Sequence, residues 1–259
     1  MKVVILCGGK GTRLREETEF RPKPMIPIGT RPILWHIMKI YAAHGFTEFV
    51  LCLGYKGDMI KEYFRNYLWN SCDATVSLGH DADVRFHGRH DEADWQITLA
   101  DTGQESMTAY RIKSIDRYLG DDGRFLLTYG DGVGDVAIPA VVAAHERSGK
   151  TCTLTAVHPP GRFGELSLCD DNVSGFNEKP QTEGGYINGG FMVCERSLIA
   201  ELPDDPTVML EQGPLQRLAS SGRLGAYRHD GFWQPMDTFQ EFKLLNGLWD
   251  SGRAPWKIW

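Results

Sequence analysis

The 259-residue sequence lacks several features that mark whole classes of protein. No two of its six cysteines form a C-x-x-C pair, and several lie in apolar runs, so we expect buried, reduced thiols in a cytoplasmic protein. No apolar run is long enough to cross a bilayer, and the run at residues 3–7 is too short for a signal peptide. The net charge is −6, which is unsuited to binding nucleic acid phosphates. Repeats, low-complexity tracts and Pro/Ser-rich linkers are also missing.

Apolar periodicity predicts alternating strands and helices. Residues 3–7 and 49–53 are continuous apolar runs typical of buried parallel strands, whereas 32–44 and 56–68 carry apolar residues at helical spacing. This β-α-β-α order predicts a right-handed, doubly wound sheet, and we expect the two halves of the chain to share it. Residues 70–94 are polar and predict a loop or hairpin. The remaining predictions are strands at 96–100, 125–128, 151–157, 165–168, 173–177 and 190–194, and helices at 107–119, 138–147, 207–220 and 239–249.

A glycine-rich segment follows the first predicted strand directly and reads Cys7-Gly8-Gly9-Lys10-Gly11-Thr12-Arg13-Leu14. Its glycines let the backbone approach a ligand and turn N–H groups toward it. Thr12 and Arg13 add a hydroxyl and a guanidinium suited to phosphate oxygens. The segment is neither a Walker A loop nor a dinucleotide fingerprint, because Leu14 stands where the third glycine belongs. Taken alone, it is equally consistent with a simple turn that ends a strand.

Two further segments hold a charged side chain beside restricted backbone. In Arg21-Pro22-Lys23-Pro24-Met25, two prolines keep the backbone around Lys23 extended, which suits a fixed positive charge. Residues 1–31 carry seven basic residues against three acidic ones, and this local positive field suggests an anionic small ligand. Asp131 lies between two glycines after a buried strand, where open α/β sheets bind ligands. Alone, Lys23 is also consistent with a solvated lysine and Asp131 with an ordinary turn.

Together these segments resemble the sugar nucleotidyltransferase family, the nucleotide-diphospho-sugar pyrophosphorylases. Its signature, G-G-x-G-[T/S]-R-L followed shortly by P-K-P-[M/L], stands here at residues 8–14 and 22–25. Further matches are Glu178-Lys179-Pro180, Asn188-Gly189-Gly190-Phe191 and residues 232–238. The sequence departs from the family pattern at Cys7, where Ala is common, at Lys10, where the family varies, and near residues 80–90.

The resemblance implies an α/β fold with a Rossmann-like, doubly wound mixed sheet of the nucleotide-diphospho-sugar transferase type and a small β-rich sugar-binding part. It implies one domain over 1–259, with 1–135 binding mainly nucleotide and 136–259 mainly sugar phosphate. The implied reaction is in-line attack by a sugar phosphate oxygen on the α-phosphorus of a nucleoside triphosphate. Arg13, Lys23 and Asp131 would act in catalysis, and Asp131 and Asp237 would share one Mg²⁺.

The same resemblance assigns binding residues and partners. The implied nucleotide contacts are Leu6, Gly8, Gly9, Lys10, Gly11, Thr12, Arg13, Thr102, Gly103, Ser106, Arg111 and Gly130. The implied sugar-phosphate contacts are Glu178, Lys179, Asn188 and Gly189. Residues 32–38, 128–133, 159–164, 232–238 and 254–257 resemble the family's cytidylyltransferase members, which make CDP-glucose from CTP and glucose 1-phosphate. Uridylyl or thymidylyl transfer is the alternative. The implied partners are these small molecules and copies of the chain in a homo-oligomer, with a hexamer as one candidate, rather than nucleic acid or membrane.

Other interpretations make different demands on the sequence. A non-catalytic regulatory subunit on this fold tends to lose the equivalents of Arg13, Lys23 or the metal carboxylates, and all are present. A metal-dependent glycosyltransferase would not need the Gly8–Leu14 segment or Lys23. His80, His87 and His90 have metal-like spacing, but a closed set of four zinc ligands is not evident, so a solvated loop is favoured. For Trp249, Trp256 and Trp259 we expect core packing or a subunit interface rather than sugar stacking.

Overall fold

Strands and short helices alternate along the chain in a computed structural model that describes residues 1–79, 83–88, 90–159, 165–169, 172–177 and 185–259. The strands are β1 Val3–Leu6, β2 Pro27–Ile28, β3 Arg31–Pro32, β4 Glu48–Leu53, β5 Asp73–Val76, β6 Val84–His87, β7 Gln96–Asp101, β8 Arg124–Tyr129, β9 Gly132–Gly134, β10 Cys152–Val157, β11 Glu165–Cys169, β12 Asn172–Asn177, β13 Ile187–Asn188, β14 Met192–Glu195, β15 Leu224–His229 and β16 Trp233–Pro235. The α-helices are α1 Arg15–Thr18, α2 Ile33–Ala42, α3 Gly57–Arg65, α4 Tyr67–Ser71, α5 Thr108–Ser114, α6 Ile138–Ser148, α7 Ser197–Glu201, α8 Pro214–Ser220 and α9 Phe239–Asp250. Single 3₁₀ turns cover Lys23–Met25 and Asp116–Tyr118.

An eight-stranded mixed sheet forms the centre of the molecule. Strand β1 pairs in parallel with β4 on one side and β8 on the other, and β4 pairs in parallel with β7. Strand β14 joins β8 to β10 by antiparallel pairing, β13 pairs antiparallel with the end of β10, and β15 lies parallel to β10 along its whole length. Strands from both sides of residue 135 therefore share one sheet, and the predicted mixed α/β fold class is confirmed.

The sheet is buried on both faces, which is why its first strands read as continuous apolar runs. Successive β1 residues alternate between two cores, with Val3 and Ile5 in one and Val4 and Leu6 in the other. The first core includes residues of α2, α6 and α9, and the second includes residues of α5, α7 and α8. The doubly wound arrangement predicted from the sequence is confirmed. In the described part of the chain, no helix is long and apolar enough to cross a membrane.

Several predicted helices and strands are present in the structure, but their first and last residues differ from the predicted ones. The helix predicted at 32–44 is α2, which begins directly after Pro32. The helix predicted at 56–68 is two helices, because Asn66 leaves helical geometry at φ −96° and ψ 15°. Within 70–94, β5 and β6 form an antiparallel hairpin.

The helix predicted over 207–220 is wrong in its first half. Gly213 has φ +138°, a conformation outside any helix, and α8 begins only after it. The preceding residues instead run beside the start of α5, where Met107 N–H donates to Pro206 O at 2.8 Å. Strand β15 was not predicted, because its sequence Leu-Gly-Ala-Tyr-Arg-His has neither a continuous apolar run nor clean alternation.

A cluster of aromatic rings packs α9 and the C-terminal residues against α2. His36 is fully buried, and its ring centroid lies 4.6 Å from Trp249 and 5.1 Å from Trp35. Its Nε2 donates to Ile28 O at 3.0 Å, and Trp256 Nε1 donates to its Nδ1 at 3.4 Å, so the ring is held neutral. Burial lowers the pKa of His36 to about 4. Core packing, predicted for the C-terminal tryptophans, is confirmed.

The buried imidazole makes stability depend on pH. Because the pKa of His36 is about 4 in the folded protein and 6.5 when exposed, the unfolded state binds more protons between these values. We expect the free energy of unfolding to fall by roughly 3 kcal/mol as pH drops through this window on account of His36. Urea unfolding at several pH values should show a shallower fall for His36→Gln than for wild type. The exposed His87 supplies the control, since His87→Gln should keep the wild-type slope; equal slopes for all three proteins would contradict the assignment.

Candidate active site

A cavity of about 300 Å³ opens at the edge of the sheet where β1 and β8 end. The glycine-rich segment follows β1, and Gly130 and Asp131 follow β8, which pairs with β1 in parallel. The carboxyl ends of parallel strands meet at one edge, so these segments face one another. The lining residues are Leu6, Cys7, Gly8, Gly9, Gly11, Thr12, Arg13, Lys23, Pro24, Ser106, Met107, Thr108, Arg111, Tyr129, Gly130, Asp131 and Asp237.

A short ladder brings Asp237 next to Asp131. Strand β16 pairs antiparallel with β9, with Pro235 opposite Gly132, and Met236 N–H donates to Asp131 O at 2.8 Å. Directly after Asp237, Thr238 caps α9, and the backbone N–H groups of both residues donate to Glu241 Oε2 at 2.7 and 2.8 Å. The ladder on one side and the helix cap on the other fix Asp237 at the cavity.

Lys23 bridges the two carboxylates. Its Nζ lies 2.6 Å from Asp131 Oδ2 and also donates to Asp237 Oδ1. The side chain is buried, and its backbone begins the 3₁₀ turn Lys23–Met25. The extended backbone predicted at Lys23 is therefore wrong, although Pro22 and Ile26 on either side of the turn are extended. Arg13 binds the other oxygen of Asp237, with Nη1 2.9 Å from Oδ2, while its side chain stays 68% exposed. The aspartates therefore pair with one fixed cation, Lys23, and with one that is open to solvent, Arg13.

The two carboxylates determine the charge state of Lys23. Burial by itself lowers the pKa of Lys23, but Asp131 and Asp237 outweigh it, and the pKa is raised above its usual value. The ammonium therefore stays charged at neutral pH. An amine in this state cannot serve as a base, and it acts as a point charge toward anything that enters the cavity.

The carboxylate pair has the chemistry of a divalent cation site. Magnesium binds through one or two carboxylates and completes its shell with water and phosphate oxygens. Asp131 and Asp237 already hold a cation between them, in the form of the Lys23 ammonium. In the described residues no cluster of three or more His, Cys, Asp or Glu side chains could hold a metal, so any further ligands would come from substrate and water.

Similarity to known proteins extends over most of the chain, including the segments that form the cavity. Residues 2–222 match the family model described as nucleotidyl transferase. The chain belongs to the nucleotidyl transferase family. It is 51% identical over 260 residues to the glucose-1-phosphate cytidylyltransferase of Salmonella typhimurium, with 100% of both chains covered. A mannose-1-phosphate guanyltransferase of Aspergillus fumigatus is 28% identical over 95% of this chain and 63% of that protein. The crystal structure of HddC from Yersinia pseudotuberculosis has the same fold, with a TM-score of 0.70 at 20% identity over 96% of this chain and 99% of that one.

Most of the residues predicted for this nucleotidyl transferase meet at the cavity. The predicted residues that line it are Leu6, Gly8, Gly9, Gly11, Thr12, Arg13, Lys23, Ser106, Arg111, Gly130, Asp131 and Asp237. Lys10 is outside the lining, and its Nζ pairs with Glu105 Oε2 at 2.7 Å. Thr102 and Gly103 lie behind the wall as partners of Arg111. Their roles toward substrate stay predictions.

Arg111 joins the loops that form one wall of the cavity. The residue is 4% exposed, and its guanidinium donates to Gly8 O, Leu53 O and Thr102 Oγ1 at 3.2, 2.9 and 2.8 Å. A Cβ atom at Gly8 would lie 2.1 Å from Arg111 Cζ, so this close approach requires glycine. Arg111 therefore fixes the backbone that is predicted to meet the nucleotide.

The residues predicted for the sugar phosphate are only partly described. Glu178 and Lys179 lie outside the described residues. Asn188 and Gly189 do not line the cavity, but Asn188 Nδ2 donates to the hydroxyl of Tyr129, which does. Asn188, predicted from the sequence as a site residue, therefore lies next to the cavity, with Tyr129 between them.

Besides Cys7, Pro24 and Met107, the sequence reasoning missed two hydroxyl side chains at the cavity wall. Tyr129 and Thr108 line the cavity, and both donate hydroxyl hydrogen bonds to Glu211, at 2.6 and 2.8 Å. Tyr129 could have been suspected because it directly precedes the Gly-Asp-Gly turn. Glu211 gave no signal, because its segment was predicted as part of a helix whose periodicity carried no information about this contact.

Replacing Arg111 should test its role as the clamp between loops. We expect Arg111→Lys to lower the free energy of unfolding by about 1–3 kcal/mol, because one ammonium cannot satisfy carbonyls on three segments. Thermal and urea unfolding measure this loss. Arg117→Lys, on the exposed side of the same region, should leave the midpoint unchanged. An Arg111→Lys protein as stable as wild type would show that the clamp carries no energetic weight.

Proposed function

We propose that this nucleotidyl transferase couples CTP and α-D-glucose 1-phosphate to form CDP-glucose and pyrophosphate. The observation that carries the proposal is the 51% identity, over the whole of both chains, to an enzyme named for that reaction. The site supports the reaction class, because Lys23 and Arg13 put two positive charges beside a cavity bounded by glycine backbone. Such a site suits the transfer of a phosphoryl-type group between two anionic substrates.

In the proposed reaction the protein positions the substrates and neutralises charge. An oxygen of the sugar phosphate attacks the α-phosphorus in line, the bond from that phosphorus to the bridging oxygen breaks, and pyrophosphate leaves with the electron pair. The backbone at residues 8–11 binds the base and phosphates, and Arg13 balances charge on the departing pyrophosphate. Lys23 neutralises the α-phosphate as charge is redistributed. Lys179 holds the sugar phosphate, and Glu178, Asn188 and Gly189 bind sugar hydroxyls.

Asp131 and Asp237 are the proposed ligands of one Mg²⁺. Bound there, the ion would offset triphosphate charge and polarise phosphate oxygens. This part of the proposal draws on the paired carboxylates, whose oxygens already share one cation. Lys23 can turn from the carboxylates toward phosphate only when another cation satisfies them.

We also propose that the enzyme is a cytoplasmic homo-oligomer. Support for the compartment comes from the thiols, since Cys7, Cys52, Cys152 and Cys194 are buried and unbridged. Support for self-association comes from apolar side chains exposed on and around the β5–β6 hairpin, namely Leu68, Trp69, Val76, Leu78 and Val84, of which Leu78 is 93% exposed. The net charge of −6 argues against a nucleic acid partner.

The choice of base can be read in one assay. The purified protein is incubated with Mg²⁺, glucose 1-phosphate and each nucleoside triphosphate in turn, and pyrophosphate release is measured. We expect CTP to give the highest kcat/KM, because the whole chain matches a cytidylyltransferase. Equal or faster turnover with UTP or dTTP would overturn the cytidylyl assignment and leave the reaction class intact. No release with any triphosphate would overturn glucose 1-phosphate as the substrate.

The metal assignment predicts a specific loss in two variants. Asp131→Asn and Asp237→Asn should each lose most turnover, because a neutral amide is a far weaker ligand for Mg²⁺ than a carboxylate. Far-UV circular dichroism should stay unchanged, and raising Mg²⁺ should recover part of the rate. Asp116→Asn, which alters a surface ion pair with Arg196, is the matched control and should keep wild-type turnover. Near-normal rates for both site variants at limiting Mg²⁺ would show that these aspartates do not bind it.

A further inference from the structure

Glu211 lies at the junction of the cavity wall and the segment that carries Asn188. Both of its carboxylate oxygens accept hydrogen bonds, Oε1 from the Tyr129 hydroxyl at 2.6 Å and Oε2 from the Thr108 hydroxyl at 2.8 Å. The segment before it is docked on α5, where Leu210 N–H donates to Thr108 Oγ1 at 2.7 Å. Glu211 is thus held from two sides, and neither contact is an ion pair.

The direction of each hydrogen bond in this group follows from its chemistry. Gly190 N–H can only donate, and it meets Asn188 Oδ1 at 3.0 Å, so the amide must turn Nδ2 toward Tyr129. Asn188 Nδ2 then donates to the Tyr129 oxygen at 3.1 Å. Because Tyr129 accepts from Asn188, its single proton must go to the carboxylate of Glu211, which can only accept.

We propose that Glu211 is a positioning residue: by directing the Tyr129 hydroxyl it holds the Nδ2 end of the Asn188 amide, whose Oδ1 end is held by Gly190 N–H. The inference rests on the proposed function, in which Asn188 recognises a hydroxyl of the sugar phosphate. We call the hydrogen bonds from Asn188 to Tyr129 and from Tyr129 to Glu211 the relay. The relay and the bond from Gly190 N–H occupy one N–H proton and one acceptor position of the Asn188 amide. Among the described residues, the second proton and the second acceptor position remain to meet a hydroxyl of defined direction. Glu211 therefore determines which sugar is bound well, without touching it.

Glutamine at this position would reverse the relay while keeping its shape. The Thr108 hydroxyl accepts from Leu210 N–H, and it keeps its own proton hydrogen-bonded to residue 211 when the amide oxygen of glutamine faces it. The amide nitrogen would then face Tyr129, which would have donors on both sides. The Tyr129 proton then loses its acceptor, so the hydroxyl is free to rotate and no longer directs a lone pair at Asn188 Nδ2 in one fixed geometry. The charge-assisted bond to the carboxylate is lost as well.

The test is a KM comparison with CTP saturating. Glu211→Gln should raise KM for glucose 1-phosphate about tenfold, with kcat changed less than about threefold, since one ordered hydrogen-bond relay is lost. Discrimination against the epimers mannose 1-phosphate and galactose 1-phosphate should narrow. The Kd for CTP with Mg²⁺, measured by calorimetry without sugar phosphate, should change less than about twofold, because Thr108 keeps its acceptor. A role in stability alone would move none of these ratios selectively.

Double variants identify the path. Adding Glu211→Gln to Asn188→Ala should not raise KM for the sugar phosphate further, because Glu211 acts only through that amide. Tyr129→Phe breaks the same relay with the carboxylate intact, and it decides the matter if Glu211→Gln fails to fold. Glu201→Gln is the matched control: its two oxygens also accept two hydrogen bonds, from Arg223 on the surface, and its kinetics should equal wild type.

Three results would overturn the proposal: an unchanged KM for the sugar phosphate in Glu211→Gln or Tyr129→Phe, an equal loss of affinity for CTP, or full additivity with Asn188→Ala. Failure of the proposed function gives a different result. It would appear in the wild-type protein, as absent turnover of CTP with glucose 1-phosphate. The relay is judged only by comparing the variants with wild type on the sugar 1-phosphate that wild type uses best.

Discussion

The Lys23 ammonium between Asp131 and Asp237 is the interaction on which the site depends. The three residues come from segments that are far apart in the chain, separated by 108 and 214 positions. An unpaired buried ammonium would be strongly disfavoured, and two adjacent carboxylates without a cation would repel each other. Each charge is therefore tolerated only because the other two are present. The ion pairs of Lys23 with Asp131 and Asp237 therefore bring the start, the middle and the end of the sequence together at the cavity.

Backbone hydrogen bonds of the surrounding strands and of one helix cap hold these three charged residues in position. Parallel pairing of β1 with β8 sets the glycine-rich segment beside Asp131, and the β9–β16 ladder delivers Asp237. The capping box of α9 ends that ladder where the carboxylate is needed. Arg111 does the same for the opposite wall, since one guanidinium fixes carbonyls at the ends of β1 and β4. Catalytic geometry of this kind depends on rigid elements more than on the charged side chains themselves.

The sequence predicts those features that depend on neighbouring residues better than those that depend on contacts between distant segments. Continuous apolar runs predicted β1, β4 and β8, because strands buried on both faces are apolar at nearly every position, and β-branched residues predicted β10. Glycine and proline beside Arg13, Lys23 and Asp131 drew attention to these three residues, because turns and restricted backbone can be recognised from neighbouring residues. The family resemblance supplied the other predicted residues of the cavity. Strand β15 and the Glu211 contacts were missed because they depend on partners distant in sequence. The periodicity at 207–220 was misleading, since Gly213 and docking on α5 override local helix preference.

In the proposed function, the charges of the site would link the binding of substrate to the binding of Mg²⁺. Arg13, Lys23 and Arg111 line the cavity with three positive charges, and Asp131 and Asp237 offset two of them. A triphosphate and a sugar phosphate both bring negative charge, so the cavity cannot neutralise them while Lys23 and Arg13 remain committed to the aspartates. A divalent cation on the aspartates would free both side chains for phosphate. In the proposed function, the ion pairs with Asp131 and Asp237 thus keep Lys23 and Arg13 in position, and a cation bound by the carboxylates would let both side chains meet phosphate.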